Sequence, residues 1–69
     1  MKVIVKGQFI KNDVKKFEDK VTYYALILVD DEIVKVKNCR FDDAKPFQSV
    51  TVNCDLSVYD NKIYARLTD

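Results

Sequence analysis

The 69-residue chain contains no histidine and no tryptophan, and it has one glycine, one proline and two cysteines. A single glycine excludes the glycine-rich loops that cradle phosphates, because such loops need several glycines within a few residues. Two cysteines without histidine cannot supply the four ligands of a structural zinc site. Since a histidine base and a Cys-x-x-Cys pair are also missing, we expect no enzymatic activity, no metal site, no cofactor and no small-molecule substrate.

The two cysteines are predicted to be reduced thiols. Cys54 lies in an alternating apolar pattern, which is typical of a buried core residue. The N-terminal stretch MKVIVKGQFIK is too often interrupted by lysine and glutamine to be a signal peptide, and no apolar run approaches the roughly 18 residues of a membrane span. We therefore expect a reducing, cytoplasmic location and no membrane partner.

Charge is nearly balanced over the whole chain but not along it. Twelve basic and eleven acidic residues give a formal net charge of +1. Residues 1–20 hold six lysines and three acidic residues, a balance of +3, whereas residues 21–69 hold six basic and eight acidic residues, a balance of −2. Bulk charge therefore neither requires nor excludes a polyanionic partner, and the positive end is the N-terminal one.

Apolar residues recur mostly with a period of two and are β-branched or aromatic, which predicts a single all-β domain over residues 1–69. In the first strand, Val3, Val5 and Phe9 share one face, and Gly7 marks a bulge or a sharp bend. The predicted strands are residues 2–10, 21–30, 32–38, 49–56 and 62–67.

Turn residues separate these strands. Asp30-Asp31 and Tyr59-Asp60-Asn61 are predicted to be hairpin turns, because aspartate and asparagine tolerate the left-handed conformation. Residues 39–47 contain the proline and form a connection with room for one helical turn. Five strands, a glycine inside the first and a connection after the third predict a small antiparallel barrel of the OB type, with an SH3-like barrel as the alternative.

Strict alternation in the last two strands predicts the direction of each side chain. We expect the outward residues of the fifth strand to be Lys62, Tyr64 and Arg66. The residues expected to face the core are Val50, Val52, Cys54, Leu56, Ile63, Ala65 and Leu67.

Residues 11–20 admit two interpretations. Asn12-Asp13 could cap a short helix in which Val14 and Phe17 follow helical spacing. We favour a long hairpin between the first two strands, with its tip between Asn12 and Lys16. Four lysines and three acidic residues leave this arm a net charge of only +1, so its value as a binding surface depends more on Phe17 than on charge.

The second strand is apolar on both faces over residues 25–29, ALILV. One face of a small barrel lines the core and the other is normally wet, so an apolar outer face needs a cover. A second subunit would provide this cover, and the loop at residues 38–48 is the alternative. We expect a homodimer.

Binding to single-stranded nucleic acid needs cations that meet phosphates and aromatic rings on which unpaired bases stack. The outward lysines, arginine and rings of this chain fit that requirement. Their simpler interpretation is solubility, strand-edge protection and β propensity. The candidate contacts are Lys11, Lys15, Lys16, Phe17, Lys20, Lys35, Lys37, Lys62, Tyr64 and Arg66.

Two stretches resemble the small single-stranded-DNA-binding, helix-destabilising proteins of filamentous phages, the gene V type. KVTYYALILVDDEIVKVKNC is similar to the second and third strands of that family, and VTVNCDLSVYDNKIYARL is similar to its last hairpin. The resemblance implies a dimeric OB-like barrel that coats DNA cooperatively during replication. It nominates the basic and aromatic residues of the first hairpin, among them Tyr23 or Tyr24, and adds Tyr59 on the last.

The leading prediction is therefore a phage or mobile-element type of protein that binds single-stranded DNA, or RNA, without sequence specificity. If a phage encodes it, it would act in the cytoplasm of the host cell. The alternative is a small barrel that mediates protein contacts as an inhibitor, adaptor or accessory subunit. It would use the apolar second strand or the acidic region at residues 30–43, and it would not bind nucleic acid.

Overall fold

The computed structural model describes residues 1–68, which form five β-strands and a closed barrel. The order around the barrel is β1-β2-β3-β5-β4, and β4 closes onto β1. All neighbours are antiparallel except β3 and β5, which are parallel. The predicted all-β, OB-like five-stranded barrel is confirmed. The strands are β1 (Lys2–Phe17), β2 (Lys20–Val29), β3 (Glu32–Lys37), β4 (Ser49–Tyr59) and β5 (Lys62–Leu67).

β1 is much longer than predicted and pairs along both of its edges. Its first half forms a ladder with β4 that ends at the pair Gln8–Ser49, and its second half forms a ladder with β2 that begins at Gln8–Leu28. The register shifts between Phe9 and Lys11, so the bulge lies at Ile10 and not at Gly7 as expected. A bulge bends a strand, which lets β1 pass from one partner to the other.

Gly7 has a different role, which is to permit a close approach of β2. A Cβ atom at this position would overlap the carbonyl oxygen of Leu28 and lie 2.8 Å from Cγ2 of Ile27. Because Gly7 has no positive φ angle, it is required for space and not for backbone conformation.

Residues 11–20 form a hairpin, so the helical alternative is wrong. β1 continues to Phe17 and β2 begins at Lys20, which moves the tip from the expected 12–16 to Glu18-Asp19. Glu18 adopts a left-handed φ of 54° there. The first half of β1 and its neighbour β4 belong to the barrel wall, whereas this hairpin extends beyond it.

The other turns follow the sequence more closely. Asp30 has a φ of 56°, and Asp60 and Asn61 have φ angles of 54° and 63°, which confirms left-handed turns at these positions. β4 extends to Tyr59, three residues beyond its predicted end. The connection after β3 contains turns and bends but no helical turn within the described residues. None of residues 1–68 forms a helix that could cross a membrane.

The core is small and lies inside the barrel. Val3, Val5 and Leu56 pack against it and are partly buried, as alternation predicts. Ile63 and Leu67 were also expected to face the core but are 72% and 38% exposed. Ile63 is exposed because the β4–β5 hairpin extends beyond the barrel wall. The buried core residues are Phe9, Ala25, Ile27, Val36, Cys39, Val52, Cys54 and Ala65.

The connection at residues 38–48 caps one end of the barrel. The Phe41 ring packs edge-on against Phe9, with 5.3 Å between ring centroids. Asn12 holds the same segment, because its Nδ2 donates to the Phe41 carbonyl oxygen at 2.8 Å and its Oδ1 accepts from the Phe41 backbone N–H at 3.1 Å. The backbone N–H of Phe47 also donates to the Phe9 carbonyl oxygen at 2.6 Å.

The close approach at Gly7 gives the first testable prediction. Gly7→Ala should lower the free energy of unfolding by about 1–3 kcal/mol, because the added methyl group must displace the backbone of β2. Urea denaturation followed by circular dichroism measures this change. The exposed neighbour Gln8 provides a control, since Gln8→Ala should change stability by about 0.5 kcal/mol or less. Equal stability of the Gly7→Ala and wild-type proteins would show that the approach is not tight.

A cationic and aromatic cleft between two hairpins

An open cleft of about 860 Å³ lies where β3 and β5 diverge. These two strands pair only through Val36–Ala65 and Lys37–Arg66, so the β1–β2 hairpin and the β4–β5 hairpin form the walls of a gap. In OB-like barrels this face, between the corresponding hairpins, is the one that binds oligonucleotides and oligosaccharides. We call it the interhairpin cleft. Its cationic and aromatic lining consists of Lys15, Tyr24, Lys35, Lys37, Tyr64 and Arg66.

Two lysines from different strands converge on the ring of Tyr24. The Lys35 Nζ atom lies 4.5 Å from the ring centroid, and the Lys15 Nζ atom lies 5.6 Å from it. Both distances are within the range of cation–π attraction, which contributes about 0.5–1 kcal/mol at exposed sites. Asp13 lies beside this group, with its Oδ2 at 3.7 Å from Lys35 Nζ. The arrangement holds two ammonium groups close together on one wall of the cleft.

Arg66 and Lys37 lie side by side because the parallel ladder pairs them directly. Arg66 Nη2 is 3.8 Å from Oδ2 of Asp55, and the N-terminal ammonium of Met1 donates to Oδ1 of the same carboxylate at 2.9 Å. The hydrogen bond from the terminus, followed by its positive charge, holds the pKa of Asp55 below its ordinary value, and Arg66 and Lys2 add to this effect. An ionised Asp55 therefore helps to orient Arg66.

Most of the predicted contact residues lie on the outer face of their strands. Lys11 pairs with Leu26, and Lys15 pairs with Thr22, so both lie on the side away from the core. Lys16 pairs with Val21 on the opposite side of the hairpin and is the exception. The predicted residues that do not line the cleft are Lys11, Lys16, Phe17, Lys20, Tyr59 and Lys62.

The two hairpins carry aromatic rings beyond the cleft. Phe17 is 76% exposed and pairs with Lys20 at the tip of the β1–β2 hairpin. Tyr59 is 75% exposed and pairs with Lys62 at the tip of the β4–β5 hairpin. Each tip therefore places a ring next to a lysine on the outer face. The outer faces of both hairpins therefore carry the same combination of aromatic rings and cations as the cleft.

The register also separates the two adjacent tyrosines. Tyr24 lies in the cleft, whereas Tyr23 points to the inner face of the hairpin, where the Arg40 guanidinium carbon lies 5.1 Å from its ring centroid. Alternation alone predicts that only one of the two rings can face outward. The register between β1 and β2, which pairs Tyr24 with Asp13, decides which one it is.

Sequence reasoning missed the apolar part of the cleft lining. Val34, Leu56 and Ile63 line it together with Glu32, although alternation assigned Leu56 and Ile63 to a closed core. The one signal in the sequence is the position of Ile63 directly after a turn, where a hairpin can extend beyond the barrel wall.

The outer face of β2 remains partly apolar, as predicted. Leu26 and Leu28 are half-buried, and Ile33, which pairs with Leu28 from β3, is 61% exposed. The connection at residues 38–48 makes its hydrogen bonds to Phe9, Asn12 and Tyr23, toward the end of the barrel. Ile33 is therefore accessible from outside, and it also lines the interhairpin cleft.

The two thiols have no role in the cleft. Cys39 and Cys54 are both buried and unbridged, and burial raises the pKa of each. Raised pKa values keep both thiols protonated, which makes them poor nucleophiles and poor metal ligands. Among residues 1–68 there is no group of three or more cysteine, aspartate or glutamate side chains that could hold a metal ion.

Comparisons with models of protein families, with curated proteins and with solved structures found no match to this chain. Inferences about its function therefore depend on the geometry of the cleft and on the sequence.

The lowered pKa of Asp55 predicts how acid affects stability. A carboxyl group whose pKa is lower in the folded than in the unfolded protein stabilises the fold at pH values above its ordinary pKa of 3.8. This contribution is lost as the pH falls through the pKa of the folded protein. Asp55→Asn should therefore destabilise the protein at about pH 7 but much less at about pH 2.5. Urea midpoints at both pH values measure the difference. Asp43→Asn, at an exposed loop position, is the control, and an equal pH effect in both variants would contradict the assignment.

Proposed function

We propose that this chain binds single-stranded nucleic acid, DNA or RNA, in the interhairpin cleft without strong sequence specificity. The observation that carries the proposal is the convergence of Lys15 and Lys35 on the Tyr24 ring, in a cleft whose opposite wall carries Tyr64 and Arg66. Cations would meet the phosphates, and stacking of unpaired bases on rings would add about 1–3 kcal/mol per base.

The shape of the cleft favours a single strand over a duplex. Tyr64 is 48% exposed, so part of its ring is open to contact, and a base can stack on a ring only after it leaves its partner. The cations lie on a concave surface between two hairpins, which suits a flexible strand better than a stiff duplex. The volume of about 860 Å³ is within the usual range of ligand sites and has room for a few nucleotides.

The two hairpin tips would extend the binding surface. Phe17 and Lys20 on one tip, and Tyr59 and Lys62 on the other, repeat the pairing of a ring with a cation found in the cleft. A strand that leaves the cleft on either side would meet a further base platform and a further phosphate contact. Site sizes of about 4–16 nucleotides per OB-like domain are consistent with this path.

We also propose that the chain acts as a homodimer of the phage or mobile-element type in DNA replication, in the cytoplasm of a host cell. The supporting observation is the apolar outer face formed by Leu26, Leu28 and Ile33. A twofold contact would bury the same patch on both subunits. The resemblance of the second, third and last strands to the gene V type is the further support.

A module for protein contacts is the second candidate function. Val58 and Ile63 form a cross-strand pair on the β4–β5 hairpin, and each is 72% exposed. Exposed apolar pairs of this kind often mark sites of protein association. This candidate function predicts no affinity for nucleic acid.

Fluorescence anisotropy with a labelled oligothymidine tests the main proposal. We expect binding that weakens as salt rises, because each neutralised phosphate releases counterions. In a plot of the logarithm of the binding constant against the logarithm of the salt concentration, each phosphate contact on a single strand contributes about 0.7 to the magnitude of the slope. Lys35→Gln should therefore reduce this magnitude by about 0.7, the contribution of one contact. Lys45→Gln removes the same charge from the loop outside the cleft and should leave the slope unchanged.

Tyr64→Ala should weaken binding by about 5-fold to 100-fold if the ring stacks on a base, and it should leave the salt slope unchanged. Absence of an anisotropy change at micromolar protein and low salt would rule out the proposal in favour of the protein-contact module. Light scattering on the same samples determines whether the chain is a dimer.

A further inference from the structure

The interhairpin cleft has an apolar half, which phosphate binding and stacking on tyrosine do not explain. Val34, Leu56 and Ile63 form this half together with Val3 and Val5 of β1. None of these side chains can attract a phosphate. Ile63 is 72% exposed and Val34 and Leu56 are half-buried, so a flat apolar group could contact this surface without any rearrangement of the fold.

One carboxylate borders the apolar half. Glu32 lies at the start of β3 and is the only acidic residue among the described residues that line the cleft. Alternation along β3 places Glu32 and Val34 on one face, and Lys35 and Lys37 on the other. Within residues 1–68, the Glu32 carboxylate forms neither an ion pair nor a side-chain hydrogen bond. Its oxygens are therefore free to accept hydrogen bonds from a ligand.

The unpaired Glu32 carboxylate restricts the orientation of a nucleic-acid strand in the cleft. It repels phosphates, which would keep the sugar-phosphate chain beside Lys35 and Lys37 on the outer face. A base of the same strand that does not stack on the outer tyrosines could then point to the other side of β3, toward the apolar surface and Glu32. An ionised carboxylate only accepts hydrogen bonds, so it can pair with an amino group but not with a carbonyl group.

We propose that the apolar half of the interhairpin cleft is a nucleobase subsite and that Glu32 is its specificity-determining residue. Glu32 favours bases with an exocyclic amino group, namely cytosine, adenine and guanine, over thymine and uracil, whose only base donor is the ring N3–H. A carboxylate that accepts a hydrogen bond from N4 of cytosine is an established form of base recognition. The inference rests on the proposed binding of single-stranded nucleic acid and adds a base preference to it.

Oligomers of deoxycytidine and deoxyuridine, about twelve nucleotides long, provide the sharpest comparison. Their bases are pyrimidines of the same size. Cytosine carries an amino group at position 4 and an acceptor at N3, whereas uracil carries a carbonyl oxygen at position 4 and an N–H at N3, so a preference for cytosine indicates that the carboxylate contacts the position-4 edge. We expect the wild-type protein to bind the deoxycytidine oligomer about fivefold more tightly, which is less than a hydrogen bond to a buried charged group would contribute because Glu32 is exposed to solvent.

Two variants separate base recognition from general electrostatics. Glu32→Gln should reduce the ratio of the two affinities to less than about twofold, because an amide can accept from cytosine and donate to uracil. Asp31→Asn removes the same charge from the adjacent turn, which does not line the cleft, and should leave the ratio at its wild-type value. Circular dichroism confirms that both variants are folded.

A modified ligand tests the same contact without a protein variant. An oligomer of N4,N4-dimethylcytosine has no amino hydrogen to donate, so the wild-type protein should bind it about as weakly as the deoxyuridine oligomer. Equal wild-type affinity for cytosine and uracil oligomers, or a ratio that survives Glu32→Gln, would overturn the base preference and leave the proposed function intact. Binding of neither oligomer would overturn the proposed function itself.

Discussion

Closure of this barrel depends on β1 pairing along both of its edges. The strand forms a ladder with β4, bends, and then forms a ladder with β2, and the two ladders meet at Gln8. Two neighbouring features permit the bend. Gly7 leaves space for the carbonyl oxygen of Leu28, and the bulge at Ile10 changes the direction of the strand. Since residues 1–68 contain only eight buried core residues, this small chain has little other means of bringing β4 and β2 onto one strand.

The same closure determines where a ligand could bind. Beyond the bend, β1 and β2 leave the barrel wall as a hairpin, and on the other side of the gap β5 diverges from β3 after two residue pairs. Lys15, Lys35 and Arg66 come from separate strands and meet at this gap. A net charge of +1 for the whole chain conceals this local concentration, because acidic residues such as Asp31 and Asp43 lie in turns and loops outside it.

The elements that could be predicted from sequence are those that depend on local alternation. The period of two in β4 correctly places Val52 and Cys54 in the core, because a strand side chain points to alternate faces wherever the strand lies. Burial is a different property, since it requires a second element over the same face. Ile63 has the predicted direction but lacks that cover, because the β4–β5 hairpin extends beyond the wall.

Features that depend on pairing could not be predicted in the same way. The bulge lies at Ile10 and not at Gly7, because its position follows from the registers of two partner strands. The charged continuation of β1 to Phe17 has no apolar alternation, because a hairpin that protrudes into solvent has two wet faces. Alternation shows that Tyr23 and Tyr24 point to opposite faces, but only the register between β1 and β2 shows which ring faces outward. The outward direction of Lys35 follows from alternation alone.

The short pairing between β3 and β5 links this fold to the chemistry proposed for it. Inside a closed sheet, a ligand could reach only the outer face of a strand. Because β5 pairs with β3 only at Val36 and Lys37, the first residues of β3 are accessible on both faces, and the cleft contacts Glu32 and Val34 as well as Lys35. A single short strand would thus present cations to the phosphates and a carboxylate beside an apolar surface to the bases. Both the phosphate contacts and the base contacts depend on β3 and β5 pairing through only two residue pairs.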